Sequence, residues 1–179
     1  MGLKEKIKSN ERLKKLVHWS ILIPKQTRPR LWIKWFVNPF YNKKRNYQKA
    51  LYYINKALNI DSENVIYWKL YSQINLRLNH FEEAERGFKR TLELGNYELS
   101  TWLSRGDLLI KIGEPEAAIY NFEQAIEYFP NSPNAYDSMA DYYESQNDNP
   151  NAIKYVSKAY NLSGNDVYKQ RLEKLQAKK

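Results

Sequence analysis

"TWLSRGDLLIKIGEPEAAIYNFEQAIEYFP", residues 101–130, reads as two helices set back to back. The first carries a large ring at Trp102 and a small residue four positions on, at Gly106. The second carries Ala118, Phe122 and Ala125 at three-to-four spacing, the period of one buried helical face. Glu114-Pro115 divides them, with Pro115 at a first helical position, where its missing N–H costs nothing. Small residues at fixed places let two helices approach closely, and the ring fills the gap to a neighbour.

The pattern repeats in both directions with a period of thirty-four residues. Ala50, Ala84, Ala118 and Ala152 are followed four positions on by Ile54, Phe88, Phe122 and Val156. Seven positions on stand Ala57, Thr91, Ala125 and Ala159. Large rings at Trp68, Trp102 and Tyr136 precede the last three alanines, as do the small residues Ser72, Gly106 and Ala140. Pro150 after Asn149 and Ser132-Pro133 mark further helix starts, and "ELGNYE" and "FPNSPN" supply turns. Such self-similarity predicts an all-α solenoid of antiparallel helix pairs.

The segments "YWKLYSQINLRLNHFEEAERGFKRTLEL" (67–94), 101–130 and "AYDSMADYYESQNDNPNAIKYVSKAYNL" (135–162) resemble the tetratricopeptide repeat family. The resemblance covers residues 46–179: a second helix of a degenerate first repeat at 46–60, full repeats at 64–96, 98–130 and 132–163, and a capping helix at 165–177. Arg105 stands where the family has Leu, and Asn75 where it has a large ring, so both need polar partners. The opening helix of the first repeat departs furthest, with Lys34 in the aromatic place and Pro39 inside the helix.

What the resemblance implies for function is a groove lined by first helices, holding a peptide or a partner's helix. Its positions fall on Ile66, Lys69, Gln73, Leu76 and Arg77, on Ser100, Leu103, Asp107, Ile110 and Lys111, and on Asn134, Asp137, Asp141 and Glu144. That surface runs from positive and apolar to acidic. The family's carboxylate clamp needs Lys and Asn; Lys69 fits, but Gln73, Ser104 and Asp107 do not. A ligand of basic or mixed charge suits the row better, and the alternative is that Asp137, Asp141 and Glu144 are a solvated face.

The rest of the composition narrows the chemistry. There is no cysteine, and the two histidines, His18 and His80, lie far apart. No phosphate loop, metal motif or nucleophile elbow appears, so neither a catalytic site nor a cofactor or metal is expected. Residues 1–49 hold fourteen Lys or Arg against Glu5 and Glu11, while the remaining chain is slightly acidic. The longest apolar run, "LVHWSILI" at 16–23, is too short to span a bilayer and lacks a cleavage site, so an unprocessed cytoplasmic protein is expected.

The basic excess is densest in "RPRLWIKWFVNPFYNKKR", residues 28–45. Leu31, Trp32, Trp35 and Phe36 would in part cap the first hairpin, but one helix contact cannot hide every ring. The surplus, flanked by Arg28, Arg30, Lys34, Lys43, Lys44 and Arg45, suits docking to an anionic membrane surface or to a larger complex. RNA, or a dimer mate, is the rival occupant. Residues 23–45 also resemble the leader of bacterial hexapeptide-repeat acyltransferases, which implies an envelope-related bacterial setting and a shared docking module. The expectation is a non-enzymatic adaptor held in place by its front end.

Overall fold

The computed structural model describes residue 37 and residues 46–177. The described residues form helices joined by short turns, in the order α1 Tyr47–Ile60, α2 Val65–Arg77, α3 Phe81–Glu93, α4 Leu99–Lys111, α5 Pro115–Tyr128, α6 Pro133–Ser145, α7 Asn149–Ser163 and α8 Asp166–Gln176. Successive helices pack in pairs, α2 on α3, α4 on α5 and α6 on α7, and each pair leans on the next. This is the all-α solenoid that the thirty-four-residue period predicts.

Each pair is closed by the same turn. Asn79, Gly113 and Asn147, thirty-four residues apart, take positive φ values of 58°, 83° and 58°. The residue after each sends its N–H back five positions: His80 to Asn75 O, Glu114 to Leu109 O, Asp148 to Tyr143 O. Asn and Gly tolerate that left-handed geometry, so the period is written in backbone as well as in side chains.

The recurring small residues set how near the helices come. Ser72 and Ala140 are fully buried, and Gly106 lies under the Phe122 ring. Phe88 and Phe122, 1% and 0% exposed, fill two of the hairpins. Burying each such ring stabilises the fold by roughly 1.5–3 kcal/mol. Trp102 packs with Leu92, Ala125 and Ala135, so it bridges one hairpin to the next. At the far end Tyr168, Leu172 and Leu175 of α8 cover Ala140, Ala152 and Val156.

Helix starts depart from expectation in one detail. Pro150 lies second in α7, after Asn149, and Asp148 is the cap, its carboxylate accepting from the Asn151 N–H at 3.1 Å. Pro133 and Pro115 occupy the opening positions of α6 and α5, but neither Ser132 nor Glu114 makes a side-chain cap bond. Among the described residues no helix is long and apolar enough to cross a membrane.

Candidate binding face

Besides its neighbours in the chain, α4 touches α6, the first helix of the next pair. First helices therefore line the tighter, inner side of the stack. Their open positions fall into columns one period apart: Lys69, Leu103 and Asp137; Gln73, Asp107 and Asp141; Arg77 and Lys111. Arg77, Asp107, Lys111 and Asp141 are exposed, and Lys69, Gln73, Leu103, Asp137 and Glu144 half-buried. Ile66, Ser100 and Asn134 are exposed beside them, and Leu76 and Ile110 are half-buried.

Four of the charged positions are engaged by the protein itself. Lys69 pairs with Glu98, the residue that opens α4. That bond, with a second from Asn96, holds the Glu98 carboxyl below the usual range. At the acidic end, Arg171 of α8 reaches Asp137 at 2.6 Å, Asp141 at 2.5 Å and Glu144 at 2.5 Å. Arg171 stands one period after Asp137, so α8 imitates the first helix of a further repeat and brings a cation into the first column. The acidic surface thus carries its own counter-ion. Sequence pattern alone does not show it, because α8 reads there as no more than a polar cap.

The remaining charge is still acidic. Asp107 opens to water yet sits against the wall of the stack; that crowding, and then Asp141, push its carboxyl up, while Lys111 opposes them. Burial and Asp141 likewise raise Asp137, against Arg171 and a hydrogen bond from Tyr168. Asp107 and Asp141 feel each other because the period sets them side by side on α4 and α6.

The polar oddities in the repeats find partners. Arg105 grips Glu85 on α3 with Nε at 3.0 and 3.2 Å and Nη2 at 2.6 Å, and its Nη1 donates to Asn121 Oδ1 at 3.2 Å. Asn121 in turn donates to Ala117 O at 2.6 Å. Buried Asn75 donates to Tyr71 O at 2.9 Å, and its Oδ1 lies 3.2 Å from His80 Nδ1. These groups fasten hairpins and leave His80, in the turn before α3, as a structural residue.

The front-end docking residues Arg28, Arg30, Trp32, Lys34, Trp35, Phe36, Lys43, Lys44 and Arg45 lie outside the described residues. So does the segment likened to the acyltransferase leader, apart from Val37. Val37 itself is fully buried in one cluster with Ala50, Ile54, Tyr67 and Ile74. Position 37 therefore belongs to the core at the front of the solenoid.

Comparison with known proteins follows the same lines. Residues 99–132 match the family described as "Tetratricopeptide repeat". "TPR repeat-containing protein MJ1428" of Methanocaldococcus jannaschii is 30% identical over 101 residues, 56% of this chain and 18% of that protein. "Anaphase-promoting complex subunit 3" of Schizosaccharomyces pombe is 21% identical over 122 residues, 68% of this chain and 18% of that protein. The chain thus spans under a fifth of either relative. Among solved structures, a crystal structure of MamA aligns at TM-score 0.70 and 19% identity, covering 92% of this chain and 96% of the other. TTC0263, a thermophilic TPR protein of Thermus thermophilus, aligns at 0.63 and 17% identity over 75% of each. The matched repeat and the shared fold agree with the thirty-four-residue period: residues 99–132 are a tetratricopeptide repeat, and the chain has the fold of tetratricopeptide repeat solenoids.

Proposed function

We propose that the chain is a non-enzymatic adaptor whose inner face holds a basic or mixed-charge segment of another protein. The observation that carries this is the column Gln73, Asp107 and Asp141, one period apart on three first helices, with both aspartates exposed to water. Asp107 and Asp141 supply negative charge, Leu103 apolar surface, and Lys111 and Arg77 the opposite sign along one edge. A curved row of that kind suits a ligand laid along several repeats. Residues assigned to the row are Lys69, Gln73, Arg77, Leu103, Asp107, Lys111, Asp137, Asp141 and Glu144. One relative is by name a subunit of a complex, a setting in keeping with this role.

The test is selection of ligands from a random peptide library on the full chain. Enriched peptides carry Lys or Arg and lose affinity at least tenfold for Asp107→Lys/Asp141→Lys. Glu82→Lys, on the outer helix α3, leaves binding intact. Peptides that ignore the inner-face charges would refute the assignment.

We further propose that the basic, aromatic front end docks the adaptor to an anionic membrane surface. Its support is the concentration of charge in residues 1–49 beside Trp and Phe. Co-sedimentation of the full chain with phosphatidylserine vesicles checks it. Trp32→Ala/Trp35→Ala should lower the bound fraction while the repeats stay folded. Binding to single-stranded RNA in preference to the vesicles would replace lipid with nucleic acid.

A further inference from the structure

The three large rings one period apart do not share one set of partners. Trp68 Nε1 donates to Ser62 O at 2.7 Å, and Tyr136 OH donates to Pro130 O at 3.0 Å. Both acceptors lie six residues upstream, in the loop between hairpins. The corresponding acceptor for Trp102 is the carbonyl of Asn96, and that bond is not made. Among the described residues, Trp102 Nε1 is the buried side-chain polar atom that has no hydrogen-bond partner.

The cause lies one residue before Asn96. Asp61 and Phe129 end α1 and α5 with φ of −144° and −130°, and their N–H groups bond Ala57 O and Ala125 O. Gly95 holds the same register position but takes φ +84°. There the helix runs on: Gly95 N–H bonds Leu92 O at 2.9 Å, and Asn96 N–H, one residue late, bonds Thr91 O at 3.2 Å. Thr91 is the register mate of Ala57 and Ala125, so the same carbonyl is satisfied by a shifted donor. Glycine alone adopts either geometry without strain. The present conformation gives the Asn96 N–H a backbone bond and forfeits the indole bond; in the mates' conformation Gly95 N–H takes the Thr91 carbonyl, Asn96 N–H loses its partner and the indole gains one.

Two other groups ride on this loop. The Tyr97 ring stacks 5.2 Å from Tyr128 and 6.2 Å from Trp102, with all three planes within 12°. Glu98, three residues after Gly95, holds Lys69 on the inner face.

We propose that Gly95–Glu98 is a two-state loop. In its second state Gly95 is extended like Asp61 and Phe129, the Asn96 carbonyl accepts the Trp102 indole N–H, Tyr97 leaves the stack and Glu98 releases Lys69. The loop then links an aromatic cluster at the repeat junction to a cation on the binding face. A hydrogen-bond donor buried without a partner is the standing bias toward that state, and the ring stack with the extra backbone bond is the bias against it.

Relaxation dispersion on the full chain with ¹⁵N-labelled tryptophan tests this, with the Trp102 indole assigned through Trp102→Phe. The wild type shows exchange at that resonance and none at Trp68. Gly95→Val, whose branched side chain rejects positive φ and whose Cβ meets nothing within 4 Å, moves the Trp102 Hε1 signal downfield and removes the dispersion. Tyr97→Ala, which weakens the present state without touching the helix end, shifts it the same way. In both variants the Glu98 carboxyl titrates closer to its ordinary value, because Lys69 has been released. A flat dispersion profile in the wild type, with an indole signal unmoved in both variants, overturns the proposal.

Discussion

A Cβ at position 106 would stand 2.3 Å from the Phe122 ring, with two further ring atoms at 2.8 Å. Alanine is worth about 1 kcal/mol over glycine in an exposed helix, whereas overpacking a core costs about 1–3 kcal/mol. Phe122 is fully enclosed and has nowhere to go, so steric cost wins. Gly106→Ala should lower stability by about 1–2 kcal/mol in urea melts, and Phe122→Leu in the same chain should recover part of it. Arg105 argues the opposite way, from chemistry rather than volume. Leu at that position matches the family, yet Arg105→Leu would leave Glu85 facing it and Asn121 without its donor. A loss of about 1–2 kcal/mol is expected after discounting for the part-exposed carboxylate. A double-mutant cycle with Glu85→Gln should show positive coupling. For Asp107 the sign comes from titration. Its folded carboxyl is raised, so the folded state holds more protons than the unfolded one between about 3.9 and the raised value. Stability falls as pH rises through that window, and the penalty is fully present at neutrality. Asp107→Asn should therefore raise the melting temperature at pH 7, with the gain fading as the buffer approaches about pH 4.

Elements are legible where the sequence states a physical rule more than once. Small residues, large rings and turn formers each recur at one period, and the helix pairs follow from them. Sequence pattern does not say which side chain of a later helix leans back over an earlier one. Arg105 is visible as an oddity, but Glu85, twenty residues upstream, becomes its partner only when α3 and α4 lie together. Arg171 is hidden for a related reason: α8 departs from the aromatic signature, yet its backbone continues the stack. The balance of forces holding α8 can be argued. Leu175 is 2% exposed and reaches Ala140, Ala152 and Val156, so Leu175→Ala should cost about 2–3 kcal/mol of α8 docking. The Arg171 cluster is more exposed, Asp141 especially, and solvent screens it. Arg171→Leu should cost closer to about 1 kcal/mol. Amide exchange across α8 would rank the two, and a larger loss of protection for Arg171→Leu would mean that charge rather than packing fastens the cap.

Among the described residues, contacts run almost entirely between successive helices, so stability behaves as a chain of neighbour terms. A lesion in the middle is felt on both sides, whereas a lesion at an end frays only that end. Phe122→Ala, at the centre, should lower the main transition by about 3–5 kcal/mol. The front end is the sharper case, because the docking proposed for residues 28–45 and the buried Val37 fall in one segment. Val37 is fully buried with Ala50, Ile54 and Ala57 of α1 and with Tyr67 of α2. Removing two methyl groups there leaves a small cavity at the open end of the stack, at a cost of about 1–2 kcal/mol. In a linear array that loss should fall on α1 first: Val37→Ala should speed amide exchange in Tyr47–Ile60 severalfold while Pro133–Ser145 exchanges as in the wild type. Because position 37 lies within the segment assigned to docking, the same variant also separates two duties. Vesicle binding that survives while α1 loosens makes capping and docking properties of different side chains. Unchanged exchange in α1 would mean that Val37 is buried without holding the front of the solenoid together.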